Sequence, residues 1–268
     1  MTTVSTILGP LYLDDEGSAD APAALLWPSL FTDHHMWDQQ VAALRDVGWR
    51  TLALDPPGHG RSPGPQRGFT MDECAEAAVQ VLDAAGLRKS VVLLGTSWGG
   101  FVAPRIALRA PDRVRSMVLF NTSAERPTAF NRANAMLLTT LFAIGALDGV
   151  VNHLITSALL GPQTRRSQPQ IEACLAMQLR TWDRRAVINT VRSVLVGRDG
   201  VLDALPGVSV PALIVSGEQD TILPSVLSRR IAEKMPNARH VEVPGAAHLV
   251  PLEVPNAANS LILDFIRE

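Results

Sequence analysis

The sequence predicts an α/β protein in which helices cover both faces of a mostly parallel sheet. Three observations lead to this prediction. Short apolar runs alternate along the chain with segments of helical periodicity. The alternation stops between residues 123 and 205, where only helical patterns remain, and then resumes. One apolar run leads into Gly95-Thr96-Ser97-Trp98-Gly99, which places a serine between two glycines where a strand should turn into a helix.

The first half of the chain contains most of the predicted strands. They lie around Ser5–Leu13, at Ala23–Trp27, at Thr51–Leu54, at Val91–Leu94 and at Ser116–Phe120. The first run is expected to end in a turn through Asp14–Gly17, because acidic residues and glycine favour turns. Helices are predicted near Met36–Val47, from a capping box at Thr70 to Gly86, and after Ser97 as far as Arg109.

The segment 123–205 is predicted to be an inserted helical cap on a core formed by residues 1–122 and 206–268. Its helices are expected at Asn131–Leu147, Val150–Leu160, Ser167–Leu179 and Arg184–Val196. The core then resumes with a strand at Ala212–Ser216, a helix at Pro224–Met235, a strand at His240–Val243 and a helix at Asn256–Ile266. A helical insertion between the two halves of a sheet is typical of a lid.

Composition limits the classes of partner. The chain has 268 residues, 47% of them hydrophobic, which is enough to bury one large core. Its net charge of -2 favours neither a nucleic-acid partner nor an acidic membrane surface. No signal peptide or membrane span is recognisable, so a cytoplasmic protein is expected. Cys74 and Cys174 lie apart in helical patterns, which indicates buried free thiols rather than a disulfide or a zinc site.

Ser97 is the candidate nucleophile. A serine at a sharp strand-to-helix turn needs a strained backbone, and the flanking glycines remove the side chains that would collide there. The competing interpretation is an ordinary glycine-rich turn. A serine hydroxyl also needs a base that takes its proton, so the hypothesis depends on finding that base.

His248 is the best candidate for the base, because it lies in a small-residue loop between the last predicted strand and the last helix. His59 also follows a strand, but its Gly/Pro-rich turn suits a structural role better. Asp220, after the strand at Ala212–Ser216, is the candidate acid that orients His248. Glu218 and Glu125 are its rivals. The chain order of serine, acid and histidine is the one associated with this type of elbow.

These residues resemble those of the α/β-hydrolase superfamily. The likeness covers nearly all of the chain except the predicted cap. It rests on the elbow, on Asp55-Pro56-Pro57-Gly58-His59-Gly60-Arg61-Ser62, on Gly217–Asp220, and on Gly245–His248 followed by Pro251–Pro255. Pro28–Asp33 followed by Met36-Trp37-Asp38 is similar to 3-oxoadipate enol-lactonases and related esterases. The resemblance implies an α/β-hydrolase fold and acyl transfer to water, with no metal or organic cofactor.

The resemblance also implies an oxyanion hole made of backbone N–H groups. Most members have His-Gly after the strand that ends at Trp27, whereas this chain has Pro28-Ser29. Alignment backward from Trp37 places Leu30 at the donor position, with Ser29 as the register-shifted alternative. The second donor is expected to be the N–H of Trp98. A serine nucleophile argues against dehalogenase or epoxide hydrolase chemistry, for which relatives use an aspartate.

The substrate is less well defined by the sequence. Phe31, Leu138, Phe142, His153 and Val250 are candidates for lining the pocket, although a role in the core alone competes for the cap residues. The predicted cap has nine arginines, including Arg165, Arg166, Arg180, Arg184 and Arg185. One of the nine is a candidate ligand for a substrate carboxylate, such as that of an enol-lactone acid or a monoester of a diacid. Three functions stay open: a carboxylesterase for a small or medium ester, a lactonase, and a noncatalytic receptor for a small molecule. A monomer or a homodimer is expected.

Overall fold

The computed structural model describes residues 2–65, 67–144 and 148–268. Its strands are β1 (Thr2–Thr6), β2 (Gly9–Glu16), β3 (Ala23–Trp27), β4 (Arg50–Leu54), β5 (Val91–Thr96), β6 (Val114–Phe120), β7 (Ala212–Gly217) and β8 (Ala238–Val243). They form one sheet in the order β1-β2-β4-β3-β5-β6-β7-β8. Among these described strands, the pairs β1–β2 and β2–β4 are antiparallel and the other pairs are parallel. The predicted mostly parallel sheet is confirmed.

Helices cover the sheet on both sides and explain why its central strands are buried along their whole length. Every residue of β3, β4, β5 and β7 is buried. The core helices are α1 (Asp38–Asp46), α2 (Met71–Ala84) and α3 (Trp98–Arg109). The predicted capping box at the start of α2 is present, because the Thr70 hydroxyl accepts from the Glu73 N–H at 3.1 Å while Glu73 accepts from the Thr70 N–H at 2.9 Å.

Between β6 and β7 the described chain is helical, as the sequence predicts. The helices are α4 (Ala129–Ile144), α5 (Asp148–Leu159), α6 (Pro162–Ser167), α7 (Pro169–Thr181) and α8 (Arg184–Val191). Residues 145–147, at the predicted end of the first of these helices, lie outside the described residues. The short helix α6 was not predicted, and α8 passes into a π-helical turn at Arg192–Val196 rather than continuing as α-helix.

The end of the chain returns to the core. Helix α9 (Ser225–Lys234) lies between β7 and β8, and α10 (Val250–Glu253) and α11 (Pro255–Arg267) follow β8. The one-turn helix α10 was not predicted, since four residues carry no readable period. The carboxyl ends of the parallel strands β3 to β8 point to the same edge of the sheet, where the loops after them meet.

The start of the chain corrects one prediction. The run Ser5–Leu13 is not one strand, because β1 and β2 form a hairpin that turns at Ile7-Leu8. The turn expected at Asp14–Gly17 is also wrong, since β2 continues to Glu16. Asp15 pairs with Leu52 in the sheet, and its carboxylate accepts from the Arg50 guanidinium at 2.6 and 2.7 Å. Pairing with β4 therefore overrides the local preference of acidic residues for a turn.

The two cysteines differ in exposure. Cys74 in α2 is buried, as expected, whereas Cys174 in α7 is exposed, and the prediction that both are buried is wrong for it. The helical period alone does not show which face of a cap helix meets the core. Within the described residues, no helix is long and apolar enough to cross a membrane.

Candidate active site

Ser97 lies at the junction of β5 and α3 with an unusual backbone conformation. Its φ of 52° and ψ of -101° are strained for a residue with a side chain. A Cβ on Gly95 would lie 2.5 Å from the carbonyl carbon of Gly99, and one on Gly99 would lie 2.1 Å from the Trp27 oxygen. Glycine at both positions is therefore required for the chain to turn this tightly. This agrees with the expectation that the flanking glycines remove side chains that would collide at the turn.

Asp220 and His248 form a buried pair in the loops after β7 and β8. Nδ1 of His248 lies 2.8 Å from Oδ2 of Asp220, and both side chains are at most 2% exposed. The other oxygen of Asp220 accepts from the backbone N–H groups of Ile222 at 2.9 Å and Leu223 at 3.0 Å. These bonds fix the carboxylate, so the histidine ring that contacts it is also fixed.

The environment of Asp220 favours its charged form. Burial alone would raise the pKa of this carboxyl group. The charge of His248 and the hydrogen bonds from His248, Leu223 and Asn121 outweigh that effect and hold the pKa of Asp220 below its ordinary value. A carboxylate therefore faces Nδ1 of His248, and Nδ1 carries the proton of this hydrogen bond.

The end of β6 connects the elbow to this pair. Ser97 N–H donates to the Phe120 oxygen at 2.9 Å, and the Thr122 hydroxyl donates to the Ser97 oxygen at 3.0 Å. Between them Asn121, with a φ of 49°, donates to Oδ2 of Asp220 at 2.8 Å and to the Ala247 oxygen at 2.9 Å. The structure thus brings all three predicted residues to one sheet edge. Within the described residues, however, no hydrogen bond joins the Ser97 hydroxyl to His248.

Sequence reasoning missed Asn121. The signal that could have found it is its position, because an amide side chain directly follows an apolar strand whose neighbours on both sides carry candidate residues. Asparagine also tolerates the left-handed conformation that this position requires.

The loop after β3 contains backbone donors with different partners. Ser29 N–H contacts Sδ of Met36 at 3.3 Å, and Phe31 N–H donates to Nε2 of His59 at 3.0 Å. The N–H of Leu30, between them, has no hydrogen-bond acceptor among the residues that the structure describes. The same is true of the Trp98 N–H at the start of α3. Trp27 and Trp98 pack edge to face at 5.7 Å, so the ends of β3 and β5 lie side by side.

The other candidate residues have separate roles. Glu218 is exposed and accepts from the Gly245 N–H at 2.9 Å, whereas Glu125 pairs with Arg230 at 2.6 Å. His34 forms a second buried pair, with Nδ1 2.6 Å from Oδ1 of Asp55. Burial would lower the pKa of His34, but the hydrogen bond and charge of Asp55 raise it above its ordinary value.

Asp33, His34 and Asp55 are close enough together to be considered as metal ligands. The carboxylate of Asp55 already accepts from the backbone N–H groups of His34 at 2.9 Å and Arg61 at 2.7 Å, besides the His34 ring. Asp55 therefore ties the loop after β3 to the loop after β4, and both of its carboxylate oxygens already accept hydrogen bonds from the protein.

Three of the predicted pocket residues lie together. Phe31, Leu138 and Phe142 line one narrow apolar cavity with Thr139, Ile155, Val187, Ile188 and Val191. His153 and Val250 are not among its lining residues. The side chain of His153 is 63% exposed and lies 3.6 Å from Glu172, which places it on the outer surface of the helical segment between β6 and β7. Val250 is fully buried, two residues after His248.

The five arginines singled out by number in the helical segment are engaged or exposed. Arg184 forms an ion pair with Asp148 at 2.8 Å and lies 4.8 Å from the centre of the Phe142 ring. Arg165 contacts Glu172 at 3.0 Å. Arg166, Arg180 and Arg185 are exposed to solvent. The cavity beside Phe31 is lined by none of these five arginines.

Glu253 is a buried carboxyl group that holds the loop around His248. One oxygen accepts from the N–H groups of Ala247 and Leu249, each at 3.1 Å, on both sides of His248. The other accepts from the Gly161 N–H at 2.7 Å and the Thr164 hydroxyl at 2.8 Å, at the start of α6. The sequence placed Glu253 in a family-like motif but indicated no contact for it.

A family model described as the α/β-hydrolase fold matches residues 22–255. The chain therefore belongs to the α/β-hydrolase family, and the fold predicted from its sequence is confirmed.

Known members of the family resemble the chain over almost its whole length. It is 26% identical to the bifunctional esterase/perhydrolase DCH of Acinetobacter calcoaceticus, over 96% of both chains. It is 24% identical to 3-oxoadipate enol-lactonase 2 of Acinetobacter baylyi, over 92% of this chain and 89% of that protein. A thermophilic esterase from Thermogutta terrifontis is 25% identical and superimposes with a TM-score of 0.90 over 99% of this chain and 97% of its own. These similarities support a general hydrolase activity.

Proposed function

We propose that the protein is a serine hydrolase that cleaves a carboxylic ester through Ser97, His248 and Asp220. The observation that carries the proposal is the buried pair of Asp220 and His248. Asn121 links this pair to the end of β6, where the Phe120 oxygen accepts from the Ser97 N–H. Residues 123–205 act in this proposal as a cap over the carboxyl edge of the sheet.

The first step is attack of Ser97 on the ester carbonyl. His248 Nδ1 donates to Asp220, so the other ring nitrogen, Nε2, carries the lone pair that takes the serine proton. Contacts between nucleophile and base often tighten only when substrate binds. A bond forms between Oγ of Ser97 and the carbonyl carbon, and the carbonyl oxygen becomes an oxyanion.

The N–H groups of Leu30 and Trp98 are proposed to bind that oxyanion. Both lie at the sheet edge next to Ser97, and neither donates to another described residue, whereas the Ser29 and Phe31 N–H groups are engaged. This difference supports Leu30 rather than Ser29 as the donor. Loss of one such donor typically costs about 2.7–4 kcal/mol of transition-state stabilisation.

Collapse of the tetrahedral intermediate completes the acylation. The ester C–O bond breaks, and the imidazolium of His248 gives its proton to the leaving alkoxide while the carboxylate of Asp220 stabilises the positive charge. Water then attacks the acyl-enzyme by the same route. His248 takes the proton of the water and returns it to Ser97, which releases the acid.

The substrate is proposed to be a neutral ester with a small or medium apolar group. The side chains around the cavity beside Phe31 are apolar except for Thr139. The cavity itself, of about 10 Å³, has room for only one water molecule, so α4, α5 and α8 must move apart to admit the ester. Arg184 and Arg165 already pair with cap carboxylates, which argues against either of them as the ligand of a substrate carboxylate. A lactone is the second candidate, because the same groups open a cyclic ester and a relative is named as an enol-lactonase.

Turnover of matched substrates tests the proposal. We expect hydrolysis of neutral p-nitrophenyl esters to exceed that of diacid monoesters of equal length, with lactones measured alongside. Ser97→Ala should lower kcat on the order of 10³-fold or more on the best substrate. Near-wild-type turnover by this variant would refute the role of Ser97 and would favour the noncatalytic receptor. A preference for diacid monoesters would refute the proposal that the substrate is a neutral ester, but not the role of Ser97.

A further inference from the structure

Phe31 has a backbone conformation that a residue with a large side chain rarely adopts. Its φ is 67°, in the left-handed region. Such a conformation persists only where surrounding contacts enforce it. The contact on its backbone is the hydrogen bond from Phe31 N–H to Nε2 of His59, at 3.0 Å. The strained residue directly follows Leu30, the proposed oxyanion donor.

His59 is in the right state to accept this bond. Its Nδ1 lies 3.1 Å from the Pro57 carbonyl oxygen, which can only accept, so the proton is on Nδ1 and the lone pair is on Nε2. The ring is completely buried, and burial lowers the pKa of His59 to about 4. The neutral form of His59 therefore prevails near neutral pH, and Nε2 keeps the lone pair that accepts from the Phe31 N–H.

Besides the N–H of Phe31, the same ring contacts the side chain of Trp98, the other residue of the proposed oxyanion hole. It packs edge to face on Trp98 with ring centres 5.6 Å apart, and it lies 4.6 Å from Trp182, which follows α7. Thr190 of α8 donates to the same Pro57 oxygen at 3.0 Å. His59 is thus enclosed by the elbow, the loop after β3 and the helical insertion.

We propose that His59 is a positioning residue that holds the N–H groups of Leu30 and Trp98 at the spacing that the oxyanion requires. It fixes the peptide on one side of Leu30 through Phe31, while Met36 contacts the N–H on the other side, at Ser29. This role rests on the proposed function. His59 touches no reacting atom and moves no proton in it.

The decisive variant is His59→Phe, which keeps an aromatic ring and removes the acceptor. We expect kcat to fall about 10²-fold while KM changes by less than about 3-fold, because oxyanion donors act in the transition state. His59→Gln retains an acceptor oxygen for Phe31 N–H, and we expect it to recover at least about 10-fold of the lost kcat.

A second readout separates positioning from a general loss of structure. Sulfur accepts hydrogen bonds poorly, so a displaced oxyanion hole slows an ester more than its thionoester. The ratio of ester to thionoester rates should fall about 10-fold in His59→Phe. Phe69→Leu is the matched control, because Phe69 stacks on Trp98 at 5.9 Å but its backbone N–H donates to Ser193, not to the loop after β3. It should lower stability and leave the ratio unchanged.

The outcomes distinguish the two proposals. If Ser97→Ala retains turnover, the proposed function is wrong. If Ser97→Ala is inactive and His59→Phe has the wild-type ester to thionoester ratio, only the positioning role is wrong. An equal fall of the ratio in Phe69→Leu would also overturn it, because packing on Trp98 would then suffice.

Discussion

The loops at the carboxyl edge of the sheet and the helical segment between β6 and β7 are held by different forces. The loops are tied by buried side chains that bond to backbone groups, as Asp220 does at Leu223 and His59 does at Phe31. The helical segment packs through buried apolar side chains such as Leu179 and Val187, and its ion pairs are partly exposed. The Arg184 and Asp148 side chains, for example, are each 39% exposed.

The outer face of the helical segment is partly apolar. The helical segment exposes large apolar side chains, among them Phe130 at 73%, Leu137 at 59% and Met177 at 60%. Exposed ion pairs contribute little stability, whereas buried polar networks lose much when one partner is removed. Removing one buried contact from the loops should therefore cost more stability than breaking an exposed ion pair of the helical segment.

The largest effect is expected at the acid of the loop network. Asp220→Asn should lower kcat on the order of 10³-fold, because an amide cannot stabilise the imidazolium and favours the wrong tautomer of His248. Steady-state kinetics on the best ester measures this effect.

Glu218→Gln is the matched control for Asp220→Asn, since Glu218 is exposed and two residues away. It should retain wild-type kcat. If the two variants lose activity equally, the distinction between buried and exposed contacts fails at this loop.

Glu253→Gln is expected to have the next largest effect. A glutamine has one acceptor oxygen, so one of the two pairs of donors, at Ala247 and Leu249 or at Gly161 and Thr164, would face an NH₂ group. We expect the free energy of unfolding to fall by about 2–4 kcal/mol, since buried donors left without acceptors cost about 1–3 kcal/mol each. Chemical denaturation measures this change.

Glu242→Gln, an exposed position on β8, provides the control for Glu253→Gln. Its unfolding should match that of the wild type within about 0.5 kcal/mol. A Glu253→Gln protein as stable as this control would show that the four bonds of Glu253 contribute little.

The smallest effect is expected at Asp33, which joins the two regions. Its carboxylate accepts from Gln178 of α7 at 2.8 Å. Burial and the charge of Asp55 raise the pKa of Asp33. Its folded pKa exceeds its unfolded value, so the wild type loses stability as pH rises from about 4 through the raised pKa.

Asp33→Asn removes this titrating group. The bond to Gln178 can be kept, because the Gln178 amide can flip so that its oxygen accepts from the new Asn NH₂ group. The difference in melting temperature between variant and wild type should therefore grow in favour of the variant as pH rises from about 4, and then stay constant. Thermal unfolding from pH 3 to pH 8 tests this expectation. A difference that shrinks with rising pH would contradict it.

The sequence predicted the candidate catalytic residues at the carboxyl edge of the sheet better than the hydrogen bonds that hold their loops in place. Ser97, Asp220 and His248 each follow a predicted strand, and the carboxyl ends of parallel strands meet, so their proximity follows from order along the chain. Asn121 and Glu253 act through contacts between segments far apart in sequence, which no local pattern records. The acceptor role of His59 likewise depends on a loop folded against it.

In the helical segment, the sequence predicted the secondary structure but not the exposure of individual side chains. Its helices could be recognised from their period, but the exposure of His153 could not, because a period does not say which face meets the core. The continuation of β2 to Glu16 was missed for a related reason, since pairing with β4 decided the conformation of Asp15.

The unequal exposure of the two cysteines provides a reporter without any engineering. Cys174 lies one helical turn before Gln178 and borders a cavity of about 200 Å³ between α7 and the segment 32–36. Cys74 is fully buried, and burial raises the pKa of its thiol, so a maleimide dye should label Cys174 selectively. Fluorescence from that single dye would report whether α7 moves against the loop after β3 during turnover.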